Sequence, residues 1–83
     1  MPTGDKYKGL TMYLRESQVT IVALTFSTIE SLLGFPLPAS ARNGEHSWWG
    51  NDRSHSQAAA WMSAGYRVTF KDVEKGLVRF ERR

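Results

Sequence analysis

Two adjacent tryptophans, Trp48-Trp49, stand in a stretch that also holds Arg42, Asn51, Arg53, His55, Ser56 and Gln57. Those residue types at that density suit recognition of nucleic acid. An exposed indole can stack on a base, an interaction worth about 1–3 kcal/mol per base. Asn or Gln pairs in bidentate fashion with adenine and Arg with guanine. On one strand the two indoles would point to opposite faces, so Trp49 is expected in the core and Trp48 as the exposed platform. His55, Ser56 and Gln57 would open a helix, whose free N–H groups and positive dipole favour phosphate. Each residue also has a plain structural reading. Asn51 suits a left-handed turn, and Gln57 suits the partner position of a capping box. Arg42 and Arg53 could pair on the surface with Glu45 and Asp52, where ion pairs contribute little.

A second set of cations lies further along the chain. Lys71, Lys75 and Arg79, with Arg82 and Arg83 at the end, fall on the polar positions of two alternating runs. Lys75 beside Gly76 at a hairpin tip is placed to touch a sugar-phosphate backbone. Edge strands also carry Lys and Arg to block aggregation, and that reading calls for the same residues.

Catalysis and metal binding find little purchase. His46, His55 and Glu45 lack the His-x-x-x-His spacing of a zinc helix, and a structural zinc site wants four ligands. Ser47 and Ser54 stand beside a histidine without the glycines of a nucleophile elbow. There is no cysteine, hence no thiolate ligand, thiol nucleophile or disulfide framework. No cofactor, metal or catalytic residue is expected. The chain reads as a binding protein, not an enzyme.

The charge is lopsided. Eleven Lys and Arg face eight Asp and Glu, for a net +3. Residues 1–41 balance, with Lys6, Lys8 and Arg15 against Asp5, Glu16 and Glu30. The whole surplus therefore sits in residues 42–83, the footprint of a face that meets phosphates. Eighty-three residues leave room for a single domain, residues 1–83, with one modest core. No apolar run approaches the ~20 residues that span a bilayer, and no secretory signal follows Met1. A cytoplasmic domain without a membrane partner is expected.

The elements that must position these residues can be read from periodicity and caps. Residues 5–17 predict a helix, with Asp5 as its cap, Tyr7, Leu10 and Leu14 on one stripe, and Gly9 against it. Residues 18–25 are β-branched and apolar, as in a strand with both faces largely covered. Ser27-Thr28-Ile29-Glu30 is a capping box that opens a short second helix, which Gly34 closes. Residues 35–53, punctuated by Pro36, Pro38, Gly44 and Gly50, read as a long loop that carries function or hides a turn of its own. Ser54-His55-Ser56-Gln57 is a second capping box, opening a third helix over 55–64. Its buried stripe would be Ala58, Trp61 and Met62, its outer face Ser56, Gln57, Ala60 and Ser63. Residues 66–83 predict a hairpin with Tyr66, Val68, Phe70, Val78 and Phe80 on one face and a turn at Glu74-Lys75-Gly76.

This is an α+β order: three helices, one additional short strand and a C-terminal β-hairpin. Together with Phe26-Ser27-x-x-Glu30-x-x-Leu33-Gly34 and Ala64-Gly65-Tyr66-x-Val68, it resembles a winged helix-turn-helix domain. That resemblance implies a third helix in the DNA major groove and a hairpin tip on the backbone. The chain departs from the pattern in the length of the 35–53 connection. A narrower resemblance runs through Leu37-Pro38-Ala39-Ser40-Ala41-Arg42, Trp48-Trp49-Gly50-Asn51 and Gln57-x-x-Ala60-Trp61-x-x-Ala64-Gly65-Tyr66. It is to a small uncharacterised domain of bacterial and phage proteins, and it implies no activity. The expected function is noncatalytic nucleic-acid binding, with duplex DNA as partner and homodimerisation compatible with paired half-sites. Two other classes stay open: a protein-interaction or inhibitor module of phage or bacterial defence systems, and a nucleotide-binding, sequestering protein.

Overall fold

A computed structural model of the chain describes residues 6–83. Four helices and three strands follow one another as α1 (Lys8–Glu16), β1 (Ile21–Thr25), α2 (Phe26–Leu33), α3 (Ala39–Asn43), α4 (Ser56–Ser63), β2 (Tyr66–Asp72) and β3 (Leu77–Arg82). The strands form one antiparallel sheet in the order β1-β3-β2, so the first strand pairs with the last. Val22 lies opposite Phe80, and Phe80 opposite Val68. This row faces the helices. Asp5, the expected cap of the first helix, lies outside the described residues.

β1 alternates exposed and buried along its whole length. Only one face is covered, contrary to the sequence expectation, because all four helices pack on the same side. Ile21 on the open face is 53 % exposed. A β-bulge at Thr69, between Val68 and Phe70, changes the hairpin in the same way. One extra residue in a strand inverts every side chain beyond it. Phe70, expected on the core face with Tyr66 and Val68, is therefore opposite Arg79 and 47 % exposed. The Arg79 guanidinium lies 5.5 Å from its ring centroid.

Both expected capping boxes are corrected. α2 is capped two residues earlier than Ser27, by the Thr25 hydroxyl, which accepts from the Thr28 N–H at 3.0 Å. The earlier start turns Phe26 into the core, and the Phe26 N–H donates to the Gly76 carbonyl at 2.7 Å. At α4 the cap position is His55, whose side chain makes no capping bond. Ser54 instead donates its hydroxyl and its N–H to Asp52 Oδ1, at 2.7 and 2.9 Å. Those two donors hold the Asp52 carboxyl below its ordinary range, outweighing its partial desolvation. Gly34 closes α2 at φ 85, in the left-handed region, as expected.

The 35–53 connection is mostly ordered. It contains α3 and a 3-10 turn at Glu45–Ser47. His46 (φ 56) and Ser47 (φ 53) are left-handed without being glycine, a conformation that costs roughly 1–2 kcal/mol per residue. This turn swings the following Trp49 into the core.

Glu30 ties the connection down. Its carboxylate accepts from the Leu37 N–H at 2.7 Å and forms an ion pair with Arg42. The backbone donor is the main cause of a lowered Glu30 pKa; desolvation opposes it and Arg42 assists. Since the folded-state value is the lower one, the stabilisation is present above the ordinary carboxylate pKa and lost as pH falls through the depressed value. Glu30→Gln should therefore flatten the acid limb: wild type should lose more Tm than the variant between about pH 6 and pH 3. Parallel curves for the two proteins would show that the carboxylate bonds are not formed in solution.

Candidate nucleic-acid interface

The tryptophan segment is an anchor before it is a platform. Phe26, Trp49 and Trp61 stack nearly parallel, with successive centroids 5.7 Å apart and planes tilted by 9° and 20°. Phe80 meets Trp61 edge-on from the sheet side. Trp49 is buried, as expected, and its indole N–H donates to the Ala41 carbonyl at 2.9 Å. Trp61 is fully buried, also as expected. Trp48 is half-buried: its ring lies 4.6 Å from Trp49 and 6.1 Å from Tyr7, both edge-on. Trp48 is thus packed against three aromatic rings and only partly accessible.

Asn51 is committed to the fold. Its side-chain oxygen accepts from the Trp61 indole N–H and the Val68 N–H, and its amide donates to the Val68 carbonyl, all at 2.9 Å. This is a strand-like pairing of a loop side chain with β2, not the left-handed turn role read from sequence. Gln57 likewise turns inward, donating to the Trp48 carbonyl at 3.2 Å instead of completing a capping box. Arg42 pairs with Glu30, not with Glu45. His55 faces Asp52 at 3.8 Å, and Arg53 makes no ion pair with a described residue. Arg53, His55 and Ser56 stay accessible, the last two at the amino end of α4.

The face of α4 differs from expectation at three residues, the inward Gln57 and then Ala60 and Met62. Ala60 is buried, because α1 crosses there and Thr11 Oγ1 donates to its carbonyl at 2.9 Å. Met62 is only partly buried. The accessible side of α4 is therefore Ser56, Ala59, Met62 and Ser63, uncharged and small apart from Met62.

The hairpin tip does not project. β1 runs alongside β3 to its start, Thr25 opposite Leu77, and Gly76 packs on the Phe26 ring. Lys71 and Lys75 are exposed, and Arg79 is shared between Glu81, at 3.6 Å, and the Phe70 ring.

The sheet end away from the tip holds a grouping that the sequence reading missed. Arg15 from α1, Arg53 from the loop, and Arg82 and Arg83 from the end of β3 line one open cleft of about 610 Å³ with Met62–Gly65. Only the fold brings positions 15 and 53 together with 82 and 83, so no local spacing announces it. Among the described residues, no group of three His, Asp or Glu is placed to hold a metal, and no helix is long and apolar enough to cross a membrane.

A family model described as Domain of unknown function (DUF7662) matches residues 7–83. No curated protein and no solved structure matches the chain.

Proposed function

The chain belongs to this family of unknown function, and we propose that it is a noncatalytic nucleic-acid-binding domain of winged-helix type, with duplex DNA as its partner. The observation that carries the reading is topological. A helix, a strand, further helices and a hairpin follow in order, and the first strand pairs with the last. This supports a winged-helix reading, with α3 and its flanking turns as an insertion. In it α4 takes the place of the groove helix. Its small, uncharged side allows close approach to a groove floor. His55 and Ser56 flank its amino end, Arg53 reaches toward its carboxyl end, and Lys71, Lys75 and Arg79 supply backbone contacts from the hairpin. Asn51, Gln57 and Arg42 hold the preceding loop in place through Val68, Trp61, the Trp48 carbonyl and Glu30, and Trp48 is partly accessible beside them.

Anisotropy of a fluorescent mixed-sequence duplex, titrated at 50 and 200 mM salt, tests the reading. Each neutralised phosphate contributes about −0.9 to the slope of log K against log salt. Three contacts would therefore weaken binding about 40-fold between those two conditions. Affinity that ignores salt, or no affinity at 50 mM, would refute it.

A second reading rests on the open sheet face, where Ile21 on β1 and Phe70 on β2 are 53 % and 47 % exposed on either side of Glu81 and Arg79 of β3. Apolar side chains left on an uncovered sheet suit a protein-interaction module. That reading expects no binding of the duplex at either salt concentration.

A further inference from the structure

We infer that the cleft lined by Arg15, Arg53, Arg82 and Arg83 at the carboxyl end of α4 is a phosphodiester-binding site, over which the backbone of the bound nucleic acid runs. The inference rests on the nucleic-acid reading and adds where on the molecule the backbone lies. Four guanidinium groups reach the cleft from three segments distant in sequence. None of the four forms an ion pair with a described residue, whereas Arg42 and Arg79 are both paired with glutamates. Four cations without an ion-pair partner among the described residues are thus gathered in one place.

One of the four is held in position. The Arg82 guanidinium donates to the Ser17 carbonyl at 2.6 Å and to the Tyr66 hydroxyl at 3.3 Å, and its carbon lies 5.4 Å from the Tyr66 ring centroid. The Arg83 N–H donates to the Gly65 carbonyl at 2.9 Å, fixing the rim. Gly65 sits at φ 89 with open space where a Cβ would be, so no side chain narrows the entrance.

The carboxyl end of a helix attracts cations, but its partial charge of about half an electron balances a fraction of one guanidinium. Four unpaired guanidiniums in one cleft repel each other in the free protein and concentrate anions there. Their planar forks match phosphate oxygens two at a time. A polymer backbone fits better than a free nucleotide, because the cleft is open and offers no uncommitted aromatic ring for a base: the Tyr66 ring is already covered by Arg82.

The test compares two doubly substituted proteins with wild type, using a fluorescent 20-base-pair mixed-sequence duplex. Arg15→Gln/Arg53→Gln removes two cleft cations whose side chains make no ion pair or hydrogen bond with a described residue. Lys6→Gln/Lys8→Gln removes the same charge from the opposite end of α1. The cleft variant should bind at least about tenfold more weakly at 50 mM salt, with a salt slope smaller in magnitude by about 2. Its Tm should stay level or rise, because like charges have been removed; if it falls, Arg53→Gln alone carries the test, with a slope change of about 1. The α1 variant should lose less than threefold. Equal losses in both variants, or none in the cleft variant while wild type binds, would overturn the site and leave the nucleic-acid reading standing. Absence of duplex binding by wild type would overturn both. Sodium phosphate and a mononucleotide form the last arm. Saturable binding of either one, without duplex binding, would assign the cleft to a small anion and overturn the phosphodiester site.

Discussion

Trp61→Ala should leave the domain barely folded at 25 °C. Trp61 is fully buried between Trp49 and Phe80 and carries the indole N–H that Asn51 accepts. Truncating a buried tryptophan to alanine costs about 3–5 kcal/mol through lost transfer energy and the cavity left behind. A domain of this length has a total stability of roughly 4–12 kcal/mol at typical values per residue. The substitution therefore removes a large share of it, and an urea melt followed by far-UV circular dichroism should show the midpoint collapse. Asn51→Ala is the informative companion. It leaves the Trp61 indole and the Val68 N–H without their partner, an expected loss of about 1–3 kcal/mol. Were Asn51 instead a free base-reading residue, Asn51→Ala would change DNA preference and leave the melt untouched. A Trp61→Ala loss below about 1.5 kcal/mol would mean that the aromatic stack is not the centre of the core.

That stack also shows what could be read from sequence and what could not. α1, α2, α4, the hairpin and the burial of Trp61 follow from patterns within a few residues of each other, whereas α3 lies in a segment that reads as loop. Apolar period, glycine stops and turn residues are local properties, and local properties are written in the sequence. The misplaced details are those in which a distant group outbid a local one. Local spacing pairs Glu30 with Ser27, but the Leu37 N–H and Arg42 take its carboxylate. Alternation places Phe70 in the core, but the bulge before it inverts the strand. Helical period points Ala60 outward, but α1 lies across it. Candidate site residues divide the same way. Asn51, Gln57 and Arg42 have the side chains of nucleic-acid contacts and spend them on the fold, because hydrogen-bonding groups that suit a base edge suit a backbone edge equally well. The arginine cleft was illegible for the opposite reason. Its members are ordinary surface arginines until α1 and the end of β3 are set side by side.

What sets them side by side is tested by Gly9→Ala, for which local and tertiary physics predict opposite signs. Gly9 lies inside α1, and replacing an interior helical glycine by alanine ordinarily stabilises by about 1 kcal/mol. In the fold, a Cβ on Gly9 would stand 1.9 Å from the Leu32 carbonyl oxygen and 2.9 Å from its carbon. Those atoms belong to the backbone of α2 and cannot rotate away as a side chain would. The two helices would have to part, and overpacking of this kind costs typically 1–3 kcal/mol or more. Because backbone must move, we expect the upper part of that range to prevail over the propensity gain, for a net loss of about 2 kcal/mol. Gly34→Ala provides the contrast. Its Cβ would meet open space, so its expected loss of roughly 1–2 kcal/mol comes from the left-handed φ of 85 alone. A Gly9→Ala protein as stable as wild type would mean that α1 and α2 do not cross this closely. The consequence reaches the other end of α1, where Arg15 lines the cleft. Parting the helices at Gly9 pivots that end, so Gly9→Ala should weaken duplex binding even at temperatures where the protein remains folded.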